Sequence, residues 1–207
     1  MGLNRRTALG LLLATPMLGA ADVASRLDAG RKLAAAARQQ VGVTTRYDAS
    51  YHTLSYPGGD VLRTTGVCAD VLVRAARDAW SVDLQKLVHE DMARAFAAYP
   101  ARRAWNQDAP DANIDHRRVL NLETYMARQG ALVKLAGKKA AGDSFDDVQP
   151  GDVLTWRTWG QGGPHIGVVG QGPEHPHVIH NIGWGAREES LWMFKLHTAV
   201  GHYRWRA

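Results

Sequence analysis

The chain is nearly without cysteine. Cys68 is its single thiol in 207 residues, so no intrachain disulfide can form and no cysteine-based zinc cage can be built. Blocks of lysine and arginine interleaved with aromatics are also missing, and with them the usual footprint of nucleic-acid binding. Beyond the first eighteen residues no apolar run is long enough to cross a bilayer. There is no H-E-x-x-H pattern, no phosphate-cradling glycine loop and no internal repeat. His175, His177 and His180 come nearest to a metal-ligand set. On a regular strand, however, His175 and His177 share one face and His180 falls on the other. Neither a metal nor any other cofactor is expected.

What is present is an ordinary globular balance, 45% hydrophobic and 22% charged residues with a formal net charge of +5. Asn4-Arg5-Arg6-Thr7, the apolar stretch Ala8 to Leu18 and the small residues Gly19-Ala20-Ala21 read as a signal peptide over residues 1–21. Arg5-Arg6 also suits a twin-arginine route. The expectation is a periplasmic or secreted protein, one domain over residues 22–207, with no stable membrane insertion beyond the leader. A lone thiol is anomalous there, because exported proteins use cysteine mainly for disulfides.

The first half reads as helices: an alanine-rich one over 24–40, a second over Cys68 to Trp80, a third over Val82 to Ala98 and a short one over Leu120 to Gln129. In the second helix Cys68, Val71, Leu72, Ala75, Ala76 and Ala79 keep the i, i+3, i+4, i+7 spacing of a buried face. Asp70, Arg74, Arg77 and Asp78 fall on the opposite, solvated face. Val43 to Thr65 reads mostly as loop, Ala101 to Arg118 as an ordered surface excursion and Lys134 to Asp147 as turn-rich. After Pro150 the runs 153–156, 166–169, 177–180 and 200–205 read as short strands between glycine and proline turns. Helices followed by a small antiparallel sheet make an α+β fold.

Three residues could carry chemistry. Cys68 opens a helix, where unpaired amides and the helix dipole favour the reactive thiolate and can hold an oxyanion. The competing reading is a small buried hydrophobe. His165 opens a strand after Gly162-Gly163-Pro164 and can take a proton from a thiol if a third group holds its other nitrogen. His180 aligns with Val178 and Ile182 on an inward face, while Asn181 points the other way and is the rival third member. Asp70 reads as support for the helix N-terminus through its charge.

Gly66-Val67-Cys68 opening a helix, Pro150-Gly151-Asp152 entering a strand, Pro164-His165-Ile166-Gly167-Val168-Val169 and Val178-Ile179-His180-Asn181 resemble the NlpC-type branch of papain-like cysteine peptidases. The chain is more closely similar to the YijF-like family of exported bacterial proteins of unknown function, allied to that superfamily. Gly66 to Val71, Asp83 to Met92, Asn113 to Arg118 and Gly201 to Arg204 carry this likeness, which extends over residues 34 to 206. The resemblance implies a papain-like α+β fold with N-terminal helices on an antiparallel sheet. It also implies Cys68 as nucleophile, His165 as base and His180 as the residue orienting it. Tyr47 or Tyr56 would line the cleft, and peptidoglycan stem peptides would be the substrate. The alternative is a non-catalytic wall- or peptide-binding module on the same fold. The branch's usual Asp-Cys-Ser-Gly is Val67-Cys68-Ala69-Asp70 here, so the nucleophile has different neighbours.

Overall fold

The computed structural model describes residues 19–135, 147–158, 163–172 and 175–206. The proposed leader falls mainly on residues 1–18, outside the described residues, as does most of the turn-rich segment after Lys134. No helix among the described residues is long and apolar enough to cross a membrane.

Helix α1 spans Ala20–Arg38, α2 Cys68–Trp80, α3 Leu84–Ala95, the short α4 Ala101–Trp105 and α5 Val119–Arg128. Asp83 starts α3 by accepting from the amides of Gln85 and Lys86. Strands β3 (Leu132–Leu135), β4 (Val153–Arg157), β5 (Pro164–Gly170), β6 (His177–Asn181), β7 (Ala186–Ser190) and β8 (Thr198–Tyr203) form one sheet in the order β3-β8-β4-β5-β6-β7. Every neighbouring pair is antiparallel. The expected α+β class is therefore found. Two further strands, β1 (Arg46–Tyr47) and β2 (Thr65–Gly66), pair in parallel at the two ends of the stretch read as loop.

The sheet has apolar side chains packed on both faces. Val153, Ile166, Val168 and Ile179 pack under the helices in the cluster that contains Cys68, Leu72 and Leu33. Leu154, Trp156, Val169 and Val178 face the other way and are covered by Phe194 of the 3-10 turn Leu191–Leu196. The alternation follows from the two-residue period of a strand.

Three expectations need correction. Helix α2 has no solvated face over its first nine residues, because Cys68 through Ala76 are all buried. Arg74 is tolerated there because Asp60, Thr44 and the carbonyls of Val61 and Leu62 take up its guanidinium donors. Residues 101–118 are not a surface excursion throughout: they contain α4 and end in a 3-10 turn, Asp115–Arg117, whose three residues are buried. Strand β7 is new. Its Arg187-Glu188-Glu189-Ser190 carries no apolar alternation, and it is held at the sheet edge by pairing with β6.

The Pro150-Gly151-Asp152 entry to β4 has a physical reason. Gly151 sits at φ +83°, and a Cβ there would lie 2.1 Å from the carbonyl oxygen of Gly30 on α1. The turn thus lets the sheet and α1 touch backbone to backbone. Asp152 is fully buried and accepts from His202, Arg204, Arg206 and the amide of Gln149.

Candidate active site

Cys68 is the first residue of α2, entered directly from β2. Two contacts fix that entry. Asp70 accepts from the amide of Val67 at 2.7 Å, satisfying a free donor at the helix start. Asn181 on β6 donates to the carbonyl of Gly66 at 2.9 Å, tying the same turn to the sheet. Asp70 is more than a charge near the helix end, since it also holds Arg117 in an ion pair at 3.0 Å with both side chains buried. Arg117 donates onward to the carbonyls of Asp48 and Ser50, which pulls the chain after β1 against the helix start.

The thiol is 4% exposed. The amides of Ile166, Ala69 and Cys68 itself point at the sulfur and favour its thiolate, but burial outweighs them. Together with the Asp70 carboxylate, burial pushes the thiol up to about 11. Cys68 is therefore a neutral thiol at physiological pH. A cavity of about 370 Å³ opens beside it, lined by Tyr47, Tyr51, Trp105, Arg117, Arg118 and Pro164 among others. Burial, with the Cys68 and Asp70 charges adding to it, pushes the neighbouring Tyr47 hydroxyl up to about 12, so that phenol stays protonated and able to donate.

The two histidines come together on the opposite face of the sheet. His165 Nε2 lies 3.1 Å from His180 Nδ1, and His180 Nε2 lies 3.1 Å from Glu189 Oε2 on β7. His165 stacks on Phe194 with ring centroids 6.2 Å apart, and His180 meets the same ring edge-on at 4.8 Å. The sulfur approaches β5 at the amide of Ile166, the residue after His165. Among the described residues no hydrogen bond joins Cys68 to either histidine.

The protons of this chain can be assigned. A carboxylate only accepts, so His180 must donate from Nε2 to Glu189. In a neutral imidazole Nδ1 is then the acceptor, and His165 must donate to it from Nε2. That leaves the lone pair of His165 on Nδ1. Burial, with the charges of His180 and His197 adding to it, pushes His165 down to about 3, so the ring is neutral across the physiological range. Burial also lowers His180, against the opposing pull of Glu189.

The family described as "Domain of unknown function (DUF1287)" matches residues 34–205. The chain belongs to the DUF1287 family. It is 49% identical over 176 residues to "Uncharacterized protein YijF" of Escherichia coli (strain K12), covering 84% of this chain and 80% of that one. Among solved structures it is similar to an N-acetylmuramoyl-L-alanine amidase from Bacteroides uniformis. That match has a TM-score of 0.48 and 12% identity, and covers 87% of this chain and all of the other. At that distance the likeness fixes neither fold nor activity.

In this DUF1287 chain the sequence-derived residues divide. Tyr47 lines the cavity with Cys68, whereas Tyr56 packs edge-on against His89 at 5.1 Å and is absent from that lining. His165 contacts His180 and not Asn181, whose amide is taken by Gly66. Strand β6 ends at Asn181, so Ile182 does not continue the face of His180 and is 43% exposed. His177 comes only to 3.9 Å from Glu188, and no group of potential metal ligands converges among the described residues. Glu189 and Arg117 are partners that the sequence does not reveal. Glu189 sits in a charged run without periodicity, so only its strand pairing reveals it. Arg117 belongs to Asn113–Arg118, a segment visible in the sequence as part of a family likeness but silent on what it touches.

Proposed function

We propose that the chain is an exported thiol hydrolase that cleaves peptide or amide bonds in peptidoglycan stem peptides, on a papain-like NlpC-type arrangement. The observation that carries this reading is the ordered chain Glu189–His180–His165, which leaves an unprotonated nitrogen on the residue adjacent to the amide that faces the Cys68 sulfur. Cys68 attacks the carbonyl carbon as His165 Nδ1 takes the thiol proton. The protonated His165 returns that proton to the leaving amine, and water then resolves the thioester. The amides at the start of α2 stabilise the oxyanion, and Tyr47 adds a donor at the cavity wall. His180 and Glu189 hold His165 in the tautomer this requires. The step requires the His165 ring to reach the thiol from the sheet face it shares with Phe194, and the preceding residue, Pro164, already lines the Cys68 cavity. The test is digestion of purified peptidoglycan. Mature wild-type protein is expected to release soluble peptide fragments and Cys68→Ala to release none. Equal release by both contradicts the reading.

A second reading, a non-catalytic wall- or peptide-binding module, is favoured by one observation: the thiol is pushed up to about 11 and bonds neither histidine. Alkylation by iodoacetamide separates the two. The hydrolase reading expects labelling of Cys68 whose rate falls at least tenfold in His165→Ala. It also expects a further rise as pH climbs toward about 11, where the free thiolate forms. Labelling that is negligible below pH 9 and indifferent to His165 supports the binding module.

A further inference from the structure

The cavity beside Cys68 is not the larger one. A cavity of about 720 Å³ lies between α4 and α5, and Leu120 lines both. The two cavities thus adjoin at Leu120 and share α4 as a wall: Trp105 faces the thiol end, while Arg102 and Arg103 face the far end. The far end also takes in Arg157 from β4, and Arg118 stands at the near end with its guanidinium 4.1 Å over the Trp105 ring.

The nearby carboxylates are already engaged. Glu123 meets Arg157 through two parallel bonds of 2.8 Å. Asp108 pairs with Arg102 at 2.9 Å on the exposed side, where such a pair contributes little and is readily exchanged. Arg103 is exposed and has no acidic partner among the described residues. The far end thus carries more guanidinium than carboxylate, and the planar fork of arginine fits a carboxylate in two-point fashion.

We infer that this second cavity is a subsite for the free carboxylate of an extended peptide whose acyl group lies at Cys68, bound by Arg103 with Arg102 beside it. This rests on the thiol-hydrolase reading, because the acyl chemistry at Cys68 makes the anion on the same ligand a carboxylate. Volumes of roughly 300–1,000 Å³ are those of built ligand sites, and Phe96 and Leu120 give the cleft an apolar lining between the charged ends.

The test uses Cys68→Ala protein and two fluorescein-labelled tetrapeptides, L-Ala-D-Glu-L-Lys-D-Ala with its carboxylates free and the same peptide with both amidated. Fluorescence anisotropy is expected to show at least tenfold tighter binding of the free form. R102E/R103E is expected to remove that preference, whereas the charge-matched surface control R31E/K32E keeps it. Equal affinity for the two peptides, or a preference unchanged in R102E/R103E or equally lost in R31E/K32E, overturns the inference. The binding assay does not require a thiol. A protein that prefers the free peptide yet releases no fragments from peptidoglycan with Cys68 intact refutes the hydrolase and leaves the subsite standing.

Discussion

Asp152→Ala is expected to destabilise the chain by about 3–5 kcal/mol, the cost of removing one partner from a buried charge cluster. Asp152 has no exposed surface, and His202 meets it at 2.7 Å, Arg204 at 2.9 Å and Arg206 at 3.0 Å. Its loss leaves three basic side chains from the end of β8 and the residues beyond it without their shared acceptor. It also frees the amide of Gln149, which sets the turn into β4. Because Arg206 also donates to the carbonyls of Arg26 and Gly151, the damage spreads to the contact between α1 and the sheet. Urea unfolding of the variant measures this as a drop in midpoint at unchanged slope. A loss under 1 kcal/mol would show that the cluster is incidental.

The same residue gives a pH dependence. Burial pushes the Asp152 carboxyl up, but its bonds to His202, Arg204 and Gln149 outweigh that and hold it at about 2, below the ordinary 3.8. A folded-state value below the unfolded one contributes stability above the unfolded value and loses it as pH falls through the folded one. Wild-type stability should therefore fall between about pH 4 and pH 2 by on the order of 2 kcal/mol on this account. Asp152→Asn should lack that share of the slope.

His165→Ala is expected to lower turnover by roughly 10²–10⁴-fold, the usual contribution of a positioned general base, with little change in KM. The sign of its pH profile separates this mechanism from one that uses a resting ion pair. With the imidazole held at about 3 and the thiol at about 11, the resting pair is neutral at pH 7. The acid limb of kcat/KM, which reports the free enzyme, should then lie below pH 5. A thiolate–imidazolium pair would put the acid limb at the thiol's depressed value and the alkaline limb at the imidazolium's raised one. A profile that falls on both sides of neutrality within two units contradicts the neutral pair.

The helices were legible in the sequence because their apolar residues recur at helical spacing. Helix α2 begins and ends where that pattern places it, and β4, β5, β6 and β8 are found within a few residues of their expected bounds, whereas α4 and β7 carry no such pattern and are not expected from it. What the sequence could not show was which side of the sheet each residue occupies. His165 and Ile166 are adjacent, yet one joins the aromatic layer of Phe194 and the other packs beneath the helix that carries Cys68. Strand parity is visible in a sequence, but the identity of the covering layer depends on contacts between distant segments. Buried charge was hidden for the same reason. Asp70 and Arg117 are 47 positions apart, and each alone reads as surface. Glu189 lies on an edge strand whose residues alternate in no apolar pattern, so its tie to His180 emerges only from the pairing of β6 with β7.

Cys68 is expected to form the covalent bond to substrate. Intact-mass spectrometry after rapid quench of the protein with a peptide p-nitrophenyl ester tests it most directly. An adduct of the acyl mass is expected, mapped to Cys68, labile to hydroxylamine as a thioester is, and absent in Cys68→Ala. Ester turnover that proceeds at the wild-type rate in Cys68→Ala, or an acyl group mapped to any other residue, would contradict it.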